Sequence, residues 1–189
     1  MLSEHRDFRV SRPSIEKMDA EIIDNINKIV GRDDTLWHLG DFAWGGAEVC
    51  RRYRDRINCQ NLNIIWGNHD KPAETRHLFG IAERQLTTKV DDQWVFLNHY
   101  PMLSYEGSYK GTWDLYGHVH GNLRRNPVLS AVCDIMLNLD VGVDGPEGRR
   151  EEYFKFGHMV DHYDRPWSMK EIAKYMDKKQ PAFKESRLF

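Results

Sequence analysis

The sequence predicts a layered α/β sandwich, and three observations carry that reading. Segments with helical periodicity alternate with short apolar runs in the first half of the chain. Paired strand-like runs dominate the second half. Several of the apolar runs finish on glycine followed by polar side chains.

Taken in order, Ile15, Met18, Ile22, Ile23, Ile26, Ile29 and Val30 fall at helical spacings, so residues 14–30 are expected to form a helix capped by Ser14 and stopped at Gly31. "DTLWHLGDF" (34–42) reads as a short strand running into a loop, and "GGAEVCRRYRDRI" (45–57) as a second amphipathic helix. Arg51, Arg52, Arg54 and Arg56 interrupted by Glu48 and Asp55 describe a solvated face better than a phosphate-binding patch. "NLNIIW" (61–66) is the next strand, and "KPAETRHLF" a short helix with an early proline. "LTTKVDDQWVFLNH" (86–99) predicts two strands about a turn at Asp91-Asp92. "DLYGHVH" (114–120) and "IMLNLDVGVD" (135–144) add two more strands, and Ser168 with Glu171 forms a capping box for a last helix. Residues 145–167 fit neither period and read as a surface excursion.

The chain has 189 residues, enough for one domain over 1–189 with a substantial core. With 27 Lys+Arg against 29 Asp+Glu, it carries no electrostatic footprint for nucleic acid or an anionic membrane. No apolar stretch approaches the roughly 18 residues of a membrane span. Cys50, Cys59 and Cys133 lack CxxC spacing and are expected to be buried free thiols. Together with a polar N-terminus, this predicts a cytoplasmic protein.

The strand ends carry the chemistry. Gly40-Asp41 follows the first strand, Gly67-Asn68-His69-Asp70 the second, Asn98-His99 the fourth and Gly117-His118-Val119-His120 the fifth. Ligand sites in α/β sheets lie at the carboxyl ends of strands, so these groups are expected to meet in one crevice. Asp, Asn and His supply hard oxygen and borderline nitrogen donors suited to Mn, Fe, Zn or Ni. Each piece alone has a plain structural reading: Gly-Asp as a turn, His99 as a core histidine, Asn68-His69-Asp70 as a hydrogen-bonded loop. In His118-Val119-His120 the alternation of a strand would aim both rings the same way. The conjunction of all four groups, in this order, favours a metal site.

In these motifs, "GDF", "GNHD", "NHYP" and "GHVH", the chain resembles the calcineurin-like metallophosphoesterases over roughly residues 5–144. The resemblance implies a four-layer α/β/β/α sandwich with two central sheets, and phosphomonoester or phosphodiester hydrolysis by a metal-activated water at a dinuclear site. It makes Asp41 the bridging carboxylate, completes one metal site with Asn68, His99 and His118, and assigns His120 to the other. His69 becomes a catalytic group facing the phosphate, oriented by Asp70. Manganese is the first expectation for the metal, with iron, zinc or nickel as alternatives. The motifs say nearly nothing about substrate: a small phosphorylated compound is implied, a nucleotide among them, and Tyr100, Tyr105, Tyr109 and Trp113 could stack on a base, although aromatic packing under their loop explains them better.

The departure from the family pattern is at the start. A first strand ending in Asp-x-His is absent from "MLSEHRDFRVSRP", which offers only His5 and Asp7 as surrogates. The sequence leaves two readings open, an upstream start or a divergent form with one incomplete metal site. The second supports an alternative function, a catalytically weak single-metal module that binds a phosphate ligand.

Overall fold

The computed structural model describes residues 12–143 and 165–186, with side chains from residue 15 onward. The surrogate pair His5 and Asp7, Asp144 and residues 145–164 of the excursion lie outside the described residues, whereas the first helix begins at Arg12, so Ser14 falls within its first turn and not at the expected cap.

Helix α1 (Arg12–Ile29) leads into strand β1 (Thr35–His38), helix α2 (Ala47–Arg54) and strand β2 (Asn61–Ile65). A short α3 (Pro72–Thr75) and a two-residue strand β3 (Ala82–Glu83) follow. Strands β4 (Gln85–Val90), β5 (Gln93–Asn98) and β6 (Trp113–Tyr116) come next, then α4 (Pro127–Ile135), β7 (Asn138–Asp140) and α5 (Met169–Ser186). Two sheets form: a parallel one in the order β1-β2-β3, and a mixed one in the order β4-β5-β6-β7. Only the β4–β5 pair is antiparallel in the second sheet. The turn between them places Asp91 and Asp92 at φ 46° and 69°, the double left-handed geometry of a two-residue hairpin that matches strand twist.

Strand β2 explains its own apolar run. Its neighbours in sequence point to opposite faces, so Ile64 packs with Ile23 and Ile26 of α1 and Cys50 of α2, whereas Ile65 packs with Val95, Leu97, Leu115 and Leu139 of the second sheet. A strand covered on both faces reads as a near-continuous apolar run, and the buried Asn63 within it is satisfied by accepting Ile81 N–H at 2.8 Å. The layers are therefore α1 and α2, the first sheet, the second sheet, and a last layer that includes α4, whose Val132 meets Phe96, Tyr105 and Met136. Helix α5 adds Ile172 and Met176 to the core between the sheets. Its start is the expected capping box: Glu171 N–H donates to Ser168 Oγ at 3.3 Å, and Ser168 N–H to Glu171 Oε2 at 3.0 Å.

Helix α4 was not expected. Its signal is Asn126-Pro127: Asn126 Oδ1 accepts from the N–H groups of Val128 and Leu129 at 3.0 and 3.2 Å, and Pro127 occupies a first-turn position that needs no donor. Arg51, Arg52 and Arg56 are exposed, as a solvated face requires, whereas Arg54 is half-buried and tied to backbone. Arg54 donates to the carbonyls of Leu78, Ile57 and Gln60, and Arg51 Nη2 lies 2.7 Å from His77 Nε2. All three cysteines are free and buried.

Candidate metal centre

Strands β1, β2, β5 and β6 deliver their carboxyl ends to one edge. His99 follows directly on β5 and is 1% exposed. Its Nδ1 lies 2.7 Å from the Leu39 carbonyl, which accepts only, so that nitrogen carries the proton and Nε2 keeps its lone pair in the neutral ring. Around Nε2 gather Asn68 Oδ1 at 3.1 Å, His118 Nδ1 at 3.1 Å and Asp41 Oδ2 at 3.3 Å. Four atoms able to donate lone pairs therefore face one another, from loops separated by 31 residues in one pair and 19 in another. Asp41 Oδ2 is buried without an aligned hydrogen-bond donor. Such an arrangement repels itself unless a cation or a proton sits among the donors, and a borderline divalent metal suits the mixture of two oxygens and two imidazoles. Asp41, His99 and His118 form the compact metal-competent group among the described residues, and Asn68 extends it.

Ligand chemistry needs anionic carboxylate and neutral imidazole, and the electrostatics favour those forms at Asp41 and His118 but not at His99. Burial works to raise the Asp41 carboxyl, but the His99 ring and the His69 N–H outweigh it and hold it below the usual value. Burial, followed by the charge of His99, pushes His118 down. Burial also opposes charge on His99, yet Asp41 beside it leaves that ring raised.

The loops that present these donors are strained. Asp41, His118 and His120 adopt φ of 57°, 65° and 49°, a left-handed region that side-chain-bearing residues rarely enter. Asp70 holds the first of them. Its Oδ2 accepts the N–H groups of Asp41 and Gly67, and its Oδ1 that of Phe42, each at 2.8 Å. Its three hydrogen bonds all go to backbone, so this carboxylate buckles two loops together and leaves the His69 ring unbonded. His69 N–H closes the same buckle on Asp41 Oδ1 at 2.9 Å. Two glycines are sterically required here. A Cβ on Gly40, at φ 96°, would collide with His99 Nδ1 and lie 2.7 Å from Gly67 N. One on Gly67 would collide with the Asp41 carboxylate.

The His118-Val119-His120 triplet departs from its expected strand geometry. Strand β6 ends at Tyr116, and both histidines lie in the following turn, so left-handed backbone rather than strand alternation aims them. Asp140, at the end of β7, anchors that turn by accepting Gly121 N–H at 2.8 Å and Gly142 N–H at 2.9 Å. His120 lines, with Asp41, His69, His99 and His118, one part of a space of about 1140 Å³ that extends between α1 and the two sheets, and it lies close enough to depress His118.

The sequence model of the calcineurin-like phosphoesterases matches residues 13–177. The chain belongs to this family. The chain is also similar in fold to the crystal structure of a protein of unknown function from Aquifex aeolicus. That likeness has a TM-score of 0.54 at 23% identity, and covers 67% of this chain and 76% of the other. No curated protein matches. Family membership carries metal-dependent chemistry on phosphoesters in general. Among the described residues no helix is long and apolar enough to cross a membrane.

Of the aromatic residues singled out in the sequence, Tyr105 and Trp113 belong to the core: both are buried, and Tyr105 Oη donates to the Thr112 carbonyl at 3.1 Å. Tyr100 alone of the four touches the site, edge-on to His99 and His118 at 4.9 and 4.6 Å between ring centroids. Sequence reasoning missed Trp44, three residues beyond Asp41, whose ring lies 4.5 Å from that of His69.

Proposed function

We propose that this calcineurin-like phosphoesterase hydrolyses phosphomonoester or phosphodiester bonds of a small phosphorylated substrate, with manganese the first expectation among the divalent metals. The single observation that carries the reading is the convergence of Asp41 Oδ2, Asn68 Oδ1, His99 Nε2 and His118 Nδ1 on one point. A divalent ion held there supplies Lewis-acid polarisation of a phosphoryl oxygen and acidifies water enough for it to act as a nucleophile near neutral pH. The chain's own residues divide the remaining work. Asp41, positioned by Asp70, would bridge to a second ion served by His120. His99, locked by Leu39, presents Nε2. His69 lines the cleft without joining the donor cluster, which suits a group that neutralises charge on the phosphoryl oxygens or protonates the leaving oxygen.

A second reading is a single-metal module that binds a phosphate ligand with weak turnover. It is favoured by one observation: among the described residues the metal-competent donors gather at one point. Metal analysis of the purified protein, followed by a screen of phosphomonoesters and phosphodiesters with and without chelator, decides between the two. About two ions per chain and chelator-sensitive turnover support the dinuclear enzyme. One ion with phosphate binding and no turnover supports the module.

A further inference from the structure

Two large aromatic side chains stand at the donor cluster with much of their surface in solvent. Trp44 is 69% exposed, and its contact with the His69 ring, at 4.5 Å and 41° between planes, leaves the rest of the indole uncovered. Tyr100 is 43% exposed and leans edge-on against His118 and His99. A tryptophan offers the largest apolar face of any side chain, and here that face borders the cleft of the donor cluster. Trp44 belongs neither to the core around α1 and α2 nor to the core between the sheets. It does line the cleft that holds Asp41, His69, His99, His118 and His120. Strand β1 ends at His38 and α2 begins at Ala47, so Trp44 sits on the same connecting loop as Asp41. A change at one end of that loop is therefore felt at the other.

We propose that Trp44, with Tyr100 beside the ligand histidines, is a specificity wall that selects phosphoesters whose leaving group carries a flat aromatic ring. This inference rests on the phosphoesterase reading above and narrows its substrate class. A ring stacked on Trp44 would lie next to His69, which puts the ester oxygen of the leaving group near the imidazole assigned to it. The chemistry is met both by a nucleobase, reached through a ribose, and by a simple arylmethyl group. Stacking is tolerant of which ring it receives, because every aromatic has a π-face, whereas a saturated ring of equal size lacks one. Neither aromatic side chain offers a cation to the phosphate, so the wall discriminates among leaving groups and leaves phosphate binding to the metal centre.

The test compares substrates matched in leaving-group alkoxide but differing in the ring. Adenosine 5′-monophosphate is set against ribose 5-phosphate, and benzyl phosphate against cyclohexylmethyl phosphate, with manganese-loaded wild type, Trp44→Ala, Trp44→Phe and Tyr100→Ala. The readout is the ratio of kcat/KM within each pair. Wild type is expected to favour the aromatic member, and Trp44→Ala to lower that ratio by roughly 5- to 150-fold, the range for removing one stacking aromatic. Trp44→Phe should retain most of the ratio, and Tyr100→Ala should lower it by a smaller factor. A drop confined to the nucleotide pair assigns the wall to bases, and a drop in both pairs assigns it to aromatic rings in general; both support the proposal. Equal loss on both members of each pair would show that Trp44 serves only His69, and an unchanged ratio would show that it serves neither; both overturn the proposal. If no substrate turns over even in wild type, the phosphoesterase reading fails on its own. Calorimetric affinities for adenosine 5′-monophosphate and ribose 5-phosphate then judge the wall, with equal affinities in wild type counting against it.

Discussion

Replacing Asp70 with asparagine tests how the loops that carry the candidate metal ligands are held. The carboxylate accepts three backbone N–H groups at 2.8 Å: Asp41 and Gly67 on Oδ2, and Phe42 on Oδ1. An asparagine of the same shape can keep its oxygen on the Asp41 and Gly67 pair, which forces its NH₂ against the Phe42 N–H. Two bonds then lose charge assistance, about 1 kcal/mol each, and one donor is opposed outright, about 1–3 kcal/mol. Because Asp70 is only half-buried, solvent recovers part of this. A loss of about 2–4 kcal/mol is expected, which for a chain of this size lowers Tm by roughly 5–15 °C. Asp41 sits at φ 57° because this clamp holds it, so metal content should fall in the same variant. Thermal unfolding by circular dichroism in chelator, paired with metal analysis after dialysis, measures both. If Asp70→Asn keeps its Tm within about 2 °C and its full metal content while turnover collapses, the carboxylate acts through His69 and the clamp argument is wrong.

His69→Ala should leave metal content nearly unchanged and lower turnover by roughly 10²–10⁴, the usual range for a lost acid or base, whereas Asp41→Asn should strip metal; equal metal loss in both contradicts the division of roles. Gly40→Ala drives a methyl into His99 Nδ1 and should reduce metal affinity measured by calorimetry, a result that an unaffected binding isotherm would refute. Asp114 is fully buried with Oδ1 unpartnered, and burial raises its carboxyl to about 8, against the weaker opposing pull of the Met102 N–H and Lys179. The folded state therefore binds a proton that the unfolded chain releases near pH ~4, so stability is full below that value and falls, by up to about 1.4 kcal/mol per pH unit, as pH rises toward about 8. Urea midpoints from pH 5 to 9 should decline in wild type relative to Asp114→Asn, and parallel profiles would refute this.

Much of the architecture was legible locally. Helical spacing marked α1, the Ser168–Glu171 capping box marked the start of α5, the Asp91-Asp92 pair marked the hairpin, and the apolar run of β2 reflected a strand covered on both faces. Candidate donors could be named from the sequence as well, because a metal site would restrict which side chains can follow each strand, and Asp41, His99 and His118 of that set lie together. Helix α4 was missed: Asn126-Pro127 signals its start, but its short apolar run carries no unambiguous period.

What only the tertiary structure decided is how those donors meet. Asp41 and Asp70 are 29 residues apart, and no periodicity reveals that one carboxylate would take the other's N–H instead of the neighbouring His69 ring. The left-handed turns at Asp41, His118 and His120, and the placement of Trp44 over His69, likewise have no local signature. Side-chain type and spacing are properties of a few consecutive residues and can be read from them. The direction in which a strained loop aims its side chain is imposed by hydrogen bonds and packing from distant segments, and exists only once the two sheets have closed.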